Sequence, residues 1–227
     1  MVMTQLNDTI ALLSKDIHMP RSARYFGRVY IGLTLFCILV TTSLTFASSF
    51  YQWLVFRPDY WNSLMNIGAT PHVGLKQLIP VIIGVTILFN IRASFYPETD
   101  SRGWHYALSL IPLIVFPVLF ILALYNMELS QWSDAIIGGS LARCVLLIPS
   151  LALIILAAQI AALIHSAPQH PVWLGFRAGI IAGASATLIY AFFCTEDSPA
   201  FYGLWYSIGI LLTGGIGALS GRHFLRW

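Results

Sequence analysis

Cys144 and Cys194 each lie at the end of a long apolar run, and a short polar turn, His165–Trp173, joins the two runs. Counted from that turn, each thiol is about 20 residues away, roughly 30 Å at the helical rise. If the runs are antiparallel helices, both thiols come to one face of the molecule at matching depth. Exposed to an oxidising compartment, such thiols can pair, climb the oxidation ladder or bind a soft metal ion. A disulfide also needs Cα atoms within about 7 Å, which matched depth permits without requiring it. The opposing reading is two unrelated buried thiols, because free cysteine is among the most buried residue types. Glu196 and Asp197 offer oxygen ligands beside Cys194, or form a plain acidic loop. Cys37, well inside an apolar run, reads as a small buried apolar residue.

No other constellation points to catalysis. The chain has no HExxH, GxSxG or P-loop. Its histidines (His18, His72, His105, His165, His170 and His223) are scattered, and no two share metal-ligand spacing on one helix. Neither a Ser–His pair nor an Asp pair falls within the apolar runs. The expectation is a protein that is not an enzyme and carries no cofactor.

Composition sets the surroundings of the thiols. The chain of 227 residues is 58% hydrophobic and 9% charged, with a mean hydropathy of +0.77. Soluble domains carry about 25% charged residues, so this chain could not cover a water-facing surface. A bilayer span needs about 20 mostly apolar residues. Six runs meet that length: Val29–Tyr51, Leu75–Phe95, Trp104–Tyr125, Ala142–His165, Leu174–Phe193 and Tyr202–Ser220. The expected fold is an all-α integral membrane protein of six transmembrane helices. Its parts are a tail (1–28), the bundle (29–221) and a short C-terminal tail (222–227). The polar N-terminal segment and the length of the first run argue against a cleaved signal peptide.

Lys and Arg concentrate on the cytoplasmic side of membrane proteins. With the N-terminus inside, Lys15, Arg21, Arg24, Arg28, Arg92, Arg102, Arg177, Arg222 and Arg226 face in, and Arg57, Lys76 and Arg143 face out. That bias places both termini in the cytoplasm and both thiols outside. Interfacial anchoring accounts for Trp53, Trp61, Trp104, Trp173, Trp205 and Trp227.

The run cores hold almost no ionisable residue, which argues against a pump or proton-coupled transporter. Thr41, Thr42, Asn90, Gln159 and Thr187 are expected to bond neighbouring helices or their own backbone. Gly175, Gly179 and Gly183 recur every fourth residue, and Gly214, Gly217 and Gly221 form a similar strip. Both read as close-packing faces, within one chain or between subunits. Pro80, Pro112, Pro117 and Pro149 should bend their helices.

The N-terminal tail carries Leu6, Ile10, Leu13 and Ile17, a stripe along one helix face. Pro20 ends that helix, and Arg21, Arg24 and Arg28 lead to the first run. The stripe could dock in a groove on a cytoplasmic partner or lie on the bilayer. The arginines alone fit a solvated stub that sets topology. The apolar stripe does not, and a chain with six spans needs no further anchor, so a partner site is the better fit.

Several short segments together resemble the NrsF family, negative regulators of sigma F. They are Leu6–Pro20 with its arginines, Arg57-Pro58-Asp59, and Ser140-Leu141-Ala142-Arg143-Cys144 with Ile148-Pro149. Next come Cys194-Thr195-Glu196-Asp197-Ser198-Pro199-Ala200-Phe201, Trp205-Tyr206, Gly221-Arg222 and Leu225-Arg226-Trp227. The resemblance runs nearly end to end and implies a six-span anti-sigma factor of the bacterial inner membrane. It implies that the tail residues Leu6, Ile10, Leu13, Ile17, Arg21 and Arg24 bind an extracytoplasmic-function sigma factor. The partners are then that sigma factor and the lipid bilayer, without direct contact with nucleic acid. It also implies that Cys144 and Cys194 sense oxidants or heavy-metal ions, with a soft-metal site at the same two sulfurs. Many relatives are expected to carry His immediately before the second cysteine, and Phe193 stands there instead. That departure turns the chemistry from metal binding towards thiol oxidation. The competing class is a small-molecule transporter or channel, for which the runs offer little polar lining.

Overall fold

The computed structural model describes residues 21–50, 56–65, 71–91, 95, 110–166, 168 and 170–225. Among these, the regular elements are helical. They are α1 (Arg21–Phe50), α2 (Tyr60–Met65), α3 (Pro71–Ile91), α4 (Ile111–Tyr125), a 3-10 turn (Leu129–Gln131), α5 (Trp132–Ile137), α6 (Leu141–Leu163), α7 (Pro171–Ala191) and α8 (Pro199–Phe224). Proline opens α3, α7 and α8, where its missing N–H costs nothing and its fixed φ suits the first turn.

Five helices are long and apolar enough to cross a membrane, over Phe26–Ala47, His72–Ile91, Leu141–Leu163, Pro171–Ala191 and Pro199–Phe224. The remaining expected span, Trp104–Tyr125, is described only from Leu110 onward. There it forms the 15-residue α4, about 22 Å long at the helical rise and short of a hydrocarbon core of about 30 Å. The outer faces are apolar: Leu35, Phe36, Leu39 and Leu44 on α1 and Leu146 on α6 are all more than half exposed. Patches of that kind are untenable in water and ordinary against lipid.

α7 is the central helix, packed against α8, α3 and α6 and touching α1. Its residues are small along most of its length. Ala178, Gly179, Ala182, Gly183, Ala184, Ser185 and Ala186 are all buried, so neighbouring backbones can close in from every side. A Cβ on Gly175 would collide with the Gly217 carbonyl oxygen, and one on Gly217 with the Gly175 carbonyl oxygen. Gly179 meets the Thr213 carbonyl in the same way. Both glycine strips therefore face each other within one chain, and the α7 strip is not available for packing between subunits.

The polar residues of the helices mostly turn to their own backbone. Thr41 donates to the Cys37 carbonyl, Thr42 to Ile38, Asn90 to Thr86 and Thr187 to Gly183, each at 2.7–2.8 Å. Gln159 differs, because its buried amide has no hydrogen-bond partner among the described residues. Pro80, Pro117 and Pro149 lie inside their helices. Pro112 sits in the first turn of α4, where there is no intrahelical bond for it to break, so the bend expected there has no cause.

Two basic residues near the ends of their apolar runs are nonetheless buried in the bundle. Lys76 is 1% and Arg177 3% exposed. Lys76 lies in phase with Val73, Ile79, Ile83 and Ile87, the buried stripe of α3. Helical register carries it inward with that stripe. Arg177 belongs to the helix that neighbours cover on all sides.

Candidate functional site

Cys144 lies in the first turn of α6, and its N–H donates to the Ser140 carbonyl at 2.9 Å. It heads the buried stripe Cys144, Ile148, Ala152, Ile155, Gln159 and Leu163, the spacing of one helix face. Cys194 lies just past the C-cap residue of α7, its N–H donating to the Tyr190 carbonyl at 3.1 Å. Both thiols are free and buried, and they are close enough to interact electrostatically. Helices α6 and α7 thus bring the two sequence-derived candidates together at one end of the bundle.

Aromatic rings wall the pair. Tyr190 and Tyr206 both lie within the electrostatic reach of the two sulfurs. Their ring centroids are 6.3 Å apart, and Phe116 and Tyr202 pack edge-on or tilted against Tyr206 at 5.8 and 6.1 Å. The Tyr202 hydroxyl is buried and has no hydrogen-bond partner among the described residues, whereas Tyr190 and Tyr206 turn their hydroxyls towards the Cys194 sulfur. Phe193, at the place where a His was expected, turns to another cluster. It packs tilted against Phe46 at 5.2 Å and edge-on against Phe56 at 6.2 Å. Among the described residues no three His, Cys, Asp or Glu side chains gather as a metal site, so the two sulfurs lack a third protein ligand of those types.

The segment that follows Cys194 is held from three directions. From α3, the Lys76 ammonium donates to the Cys194 carbonyl at 2.7 Å, to the Glu196 carbonyl at 3.0 Å and to Asp197 Oδ1 at 3.1 Å. From the connector between α1 and α2, Arg57 donates to Asp197 Oδ2 and, through Nε and a terminal nitrogen, to both carboxylate oxygens of Asp59 at 2.9 Å. From the turn before α6, the Gly139 N–H donates to Glu196 Oε1 at 2.9 Å. Gly138, at φ +52°, takes the left-handed conformation that glycine adopts without steric cost. That turn aims the next N–H at Glu196, so Glu196 ties the Cys194 loop to the segment that leads into Cys144. Trp205 Nε1 donates to the Ile136 carbonyl at 2.8 Å and fixes α5 to α8.

Arg57, Lys76, Asp59 and Asp197 form a chain of two cations and two anions, neutral as a unit. The bidentate grip of Arg57 is the main cause that holds the Asp59 carboxyl down to about 2. The same bond to Asp59, followed by that to Asp197, pushes the Arg57 guanidinium above its usual range. Sequence reasoning assigned Lys76 only to the outer charge count, and Arg57 to that count and to the Arg57-Pro58-Asp59 segment of the family resemblance. Two signals could have found Lys76. Lys76 shares the phase of the α3 isoleucines, and ionisable residues within apolar helices generally mark function.

The tail stripe Leu6, Ile10, Leu13 and Ile17 lies outside the described residues. Arg21 and Arg24 stand in the opening turns of α1, which begins at Arg21, and Arg28 is exposed on the same helix. Phe46, near the far end of α1, packs against Phe193 beside Cys194, so the start of α1 lies towards the other end of the bundle.

A family model described as "Negative regulator of sigma F", NrsF, matches residues 15–227. The chain is 32% identical over 163 residues to the "Probable anti-sigma-F factor NrsF" of Azospira oryzae, covering 68% of this chain and 76% of that one. It is 29% identical over 180 residues to the "Anti-sigma-F factor NrsF" of Caulobacter vibrioides, covering 77% and 80%. No solved structure matches the chain. With most of its length matched by the family model, and with the cysteine, Arg57 and Asp197 segments gathered at one end of its bundle, the chain belongs to the NrsF family.

Proposed function

We propose that this protein is an anti-sigma factor of the bacterial inner membrane, with both termini in the cytoplasm and both thiols on the opposite side. Its N-terminal segment binds an extracytoplasmic-function sigma factor through Leu6, Ile10, Leu13 and Ile17, with Arg21 and Arg24 beside them. Bound there, the sigma factor is kept from RNA polymerase. Oxidation of Cys144 and Cys194 is the release signal.

The observation that supports the sensing step is that two free thiols, one in the first turn of α6 and one just past α7, lie within electrostatic reach of each other at one end of the bundle. A two-electron oxidant would take one electron pair from the two thiols, which lose two protons and form one S–S bond. The new bond joins the first turn of α6 to the end of α7. α7 is packed against most of the bundle, so a shift there reaches the opposite end. A tenfold release of the sigma factor needs only about 1.4 kcal/mol of differential affinity. Thiol oxidation fits better than metal binding, since Phe193 offers no nitrogen and no third ligand joins the sulfurs among the described residues.

The test replaces Cys144 and Cys194 with Ser, singly and together, and follows transcription from a promoter of the bound sigma factor with and without oxidant. The proposal expects induction to disappear in each variant. Induction that survives in the double variant would overturn the sensing role.

A further inference from the structure

We infer that Lys76 is the positioning residue of the thiol pair: its ammonium holds the Cys194 loop closed and so keeps the Cys194 thiol out of solvent. Lys76 is 1% exposed, and its Nζ meets three acceptors: the carbonyl of Cys194, the carbonyl of Glu196 and a carboxylate oxygen of Asp197. An ammonium has three donors, so its hydrogen-bonding capacity is matched by this one loop. The first of the three acceptors belongs to the cysteine itself. Cys194 cannot swing outward without breaking the 2.7 Å bond at its own carbonyl, and that break would leave a buried cation short of an acceptor.

The other end of the clamp is anchored as well. Asp197 is shared between Lys76 and Arg57, and Arg57 is fixed by both oxygens of Asp59. The Cys194 Sγ lies 3.8 Å from the Glu196 carbonyl, which Lys76 also holds. The loop therefore opens as a unit or stays shut. Local opening of this kind sets how fast a buried group meets reagents. The Lys76 clamp thus decides how readily Cys194 meets an oxidant, and its meaning for regulation rests on the sensing role of the thiols. The positioning itself does not.

The experiment uses the full chain in lipid nanodiscs. A maleimide is added under reducing-agent-free conditions, and alkylation of Cys37, Cys144 and Cys194 is timed separately by peptide mass spectrometry. Cys37, in the middle of α1, is the internal control. Lys76→Met keeps the length and removes the charge and donors. The expected result is a rise of about tenfold or more in the Cys194 rate, with Cys37 unchanged and with return towards the native rate in Lys76→Arg. Asp197→Asn, which keeps the lysine and weakens one acceptor, is expected to fall between, and it serves if Lys76→Met fails to accumulate. An unchanged Cys194 rate in both variants, or an equal rise at Cys37 and Cys194, would overturn the inference. Faster alkylation together with a normal transcriptional response would leave the clamp standing and count against the sensing role instead.

Discussion

Gly175 of α7 and Gly217 of α8 face each other so closely that a Cβ on either would strike the carbonyl oxygen of the other. The contact is reciprocal, as expected where two strips of small residues interlock between antiparallel helices. The obstacle in each case is backbone, which no rotamer change can move aside. Gly175→Val or Gly217→Val is expected to push the helices apart at a cost of about 1–3 kcal/mol or more. Gly215, which has open space around its Cβ position, provides the control in the same helix. Thermal unfolding in detergent should show a lower midpoint for the first two variants and little change for Gly215→Ala.

Arg57 and Lys76 share Asp197, one carboxylate oxygen each. Replacing that carboxylate leaves Lys76, which is buried, with two carbonyls and no counter-charge. Asp197 is itself 29% exposed at its side chain, so water partly compensates, and the loss is expected at about 1–3 kcal/mol. Asp197→Ala should therefore lower the unfolding midpoint, whereas Asp134→Ala, on the exposed surface of α5, should not.

Acid should spare the Arg57–Asp59 pair until low pH. The folded carboxyl of Asp59 is held at about 2, below an unfolded value of about 3.9. A depressed carboxyl contributes stability above its unfolded value and loses it as pH falls through the folded one. The destabilisation caused by Asp59→Asn should thus be constant from pH 7 down to about 4 and shrink between about 4 and 2. Unfolding curves of the native and variant proteins over that range would show it, and a difference that vanishes already near neutral pH would contradict the pairing.

The N-terminal stripe makes a separate prediction. Ile10→Asp with Leu13→Asp places two charges on its apolar face, where burial against a partner would be costly. Co-purification of the sigma factor should fall at least about tenfold, a change of about 1.4 kcal/mol. The bundle should be unaffected, with an unchanged thermal midpoint. Undiminished binding would place the contact elsewhere.

How much of this was readable beforehand varies by residue. The apolar runs followed from composition, because helices in lipid advertise themselves by length. Matched depth of Cys144 and Cys194 followed from simple counting along a hairpin, since helical rise is constant. Their lateral closeness did not, because it depends on the rotation of α6 and α7 about their axes. The burial of Lys76 was missed for a related reason. As a charge near the end of a run it counts towards topology, and only its phase relative to Ile79, Ile83 and Ile87 shows that it points inward. The partnership of Arg57 with Asp197, 140 positions apart, is long-range and leaves no trace in local pattern. The sequence showed Phe193 where a His was expected, but not its membership of the Phe46–Phe56 cluster.

The central claim is that the state of two thiols at one end of the bundle governs a grip at the other. The most direct measurement treats the purified complex of this protein and its sigma factor, in nanodiscs, with graded amounts of a two-electron oxidant. Release of the sigma factor and formation of the Cys144–Cys194 cross-linked peptide are followed in the same samples. The account predicts that the two rise together and that reduction reverses both. Release while both thiols remain free, or full cross-linking with the sigma factor still bound, would contradict it.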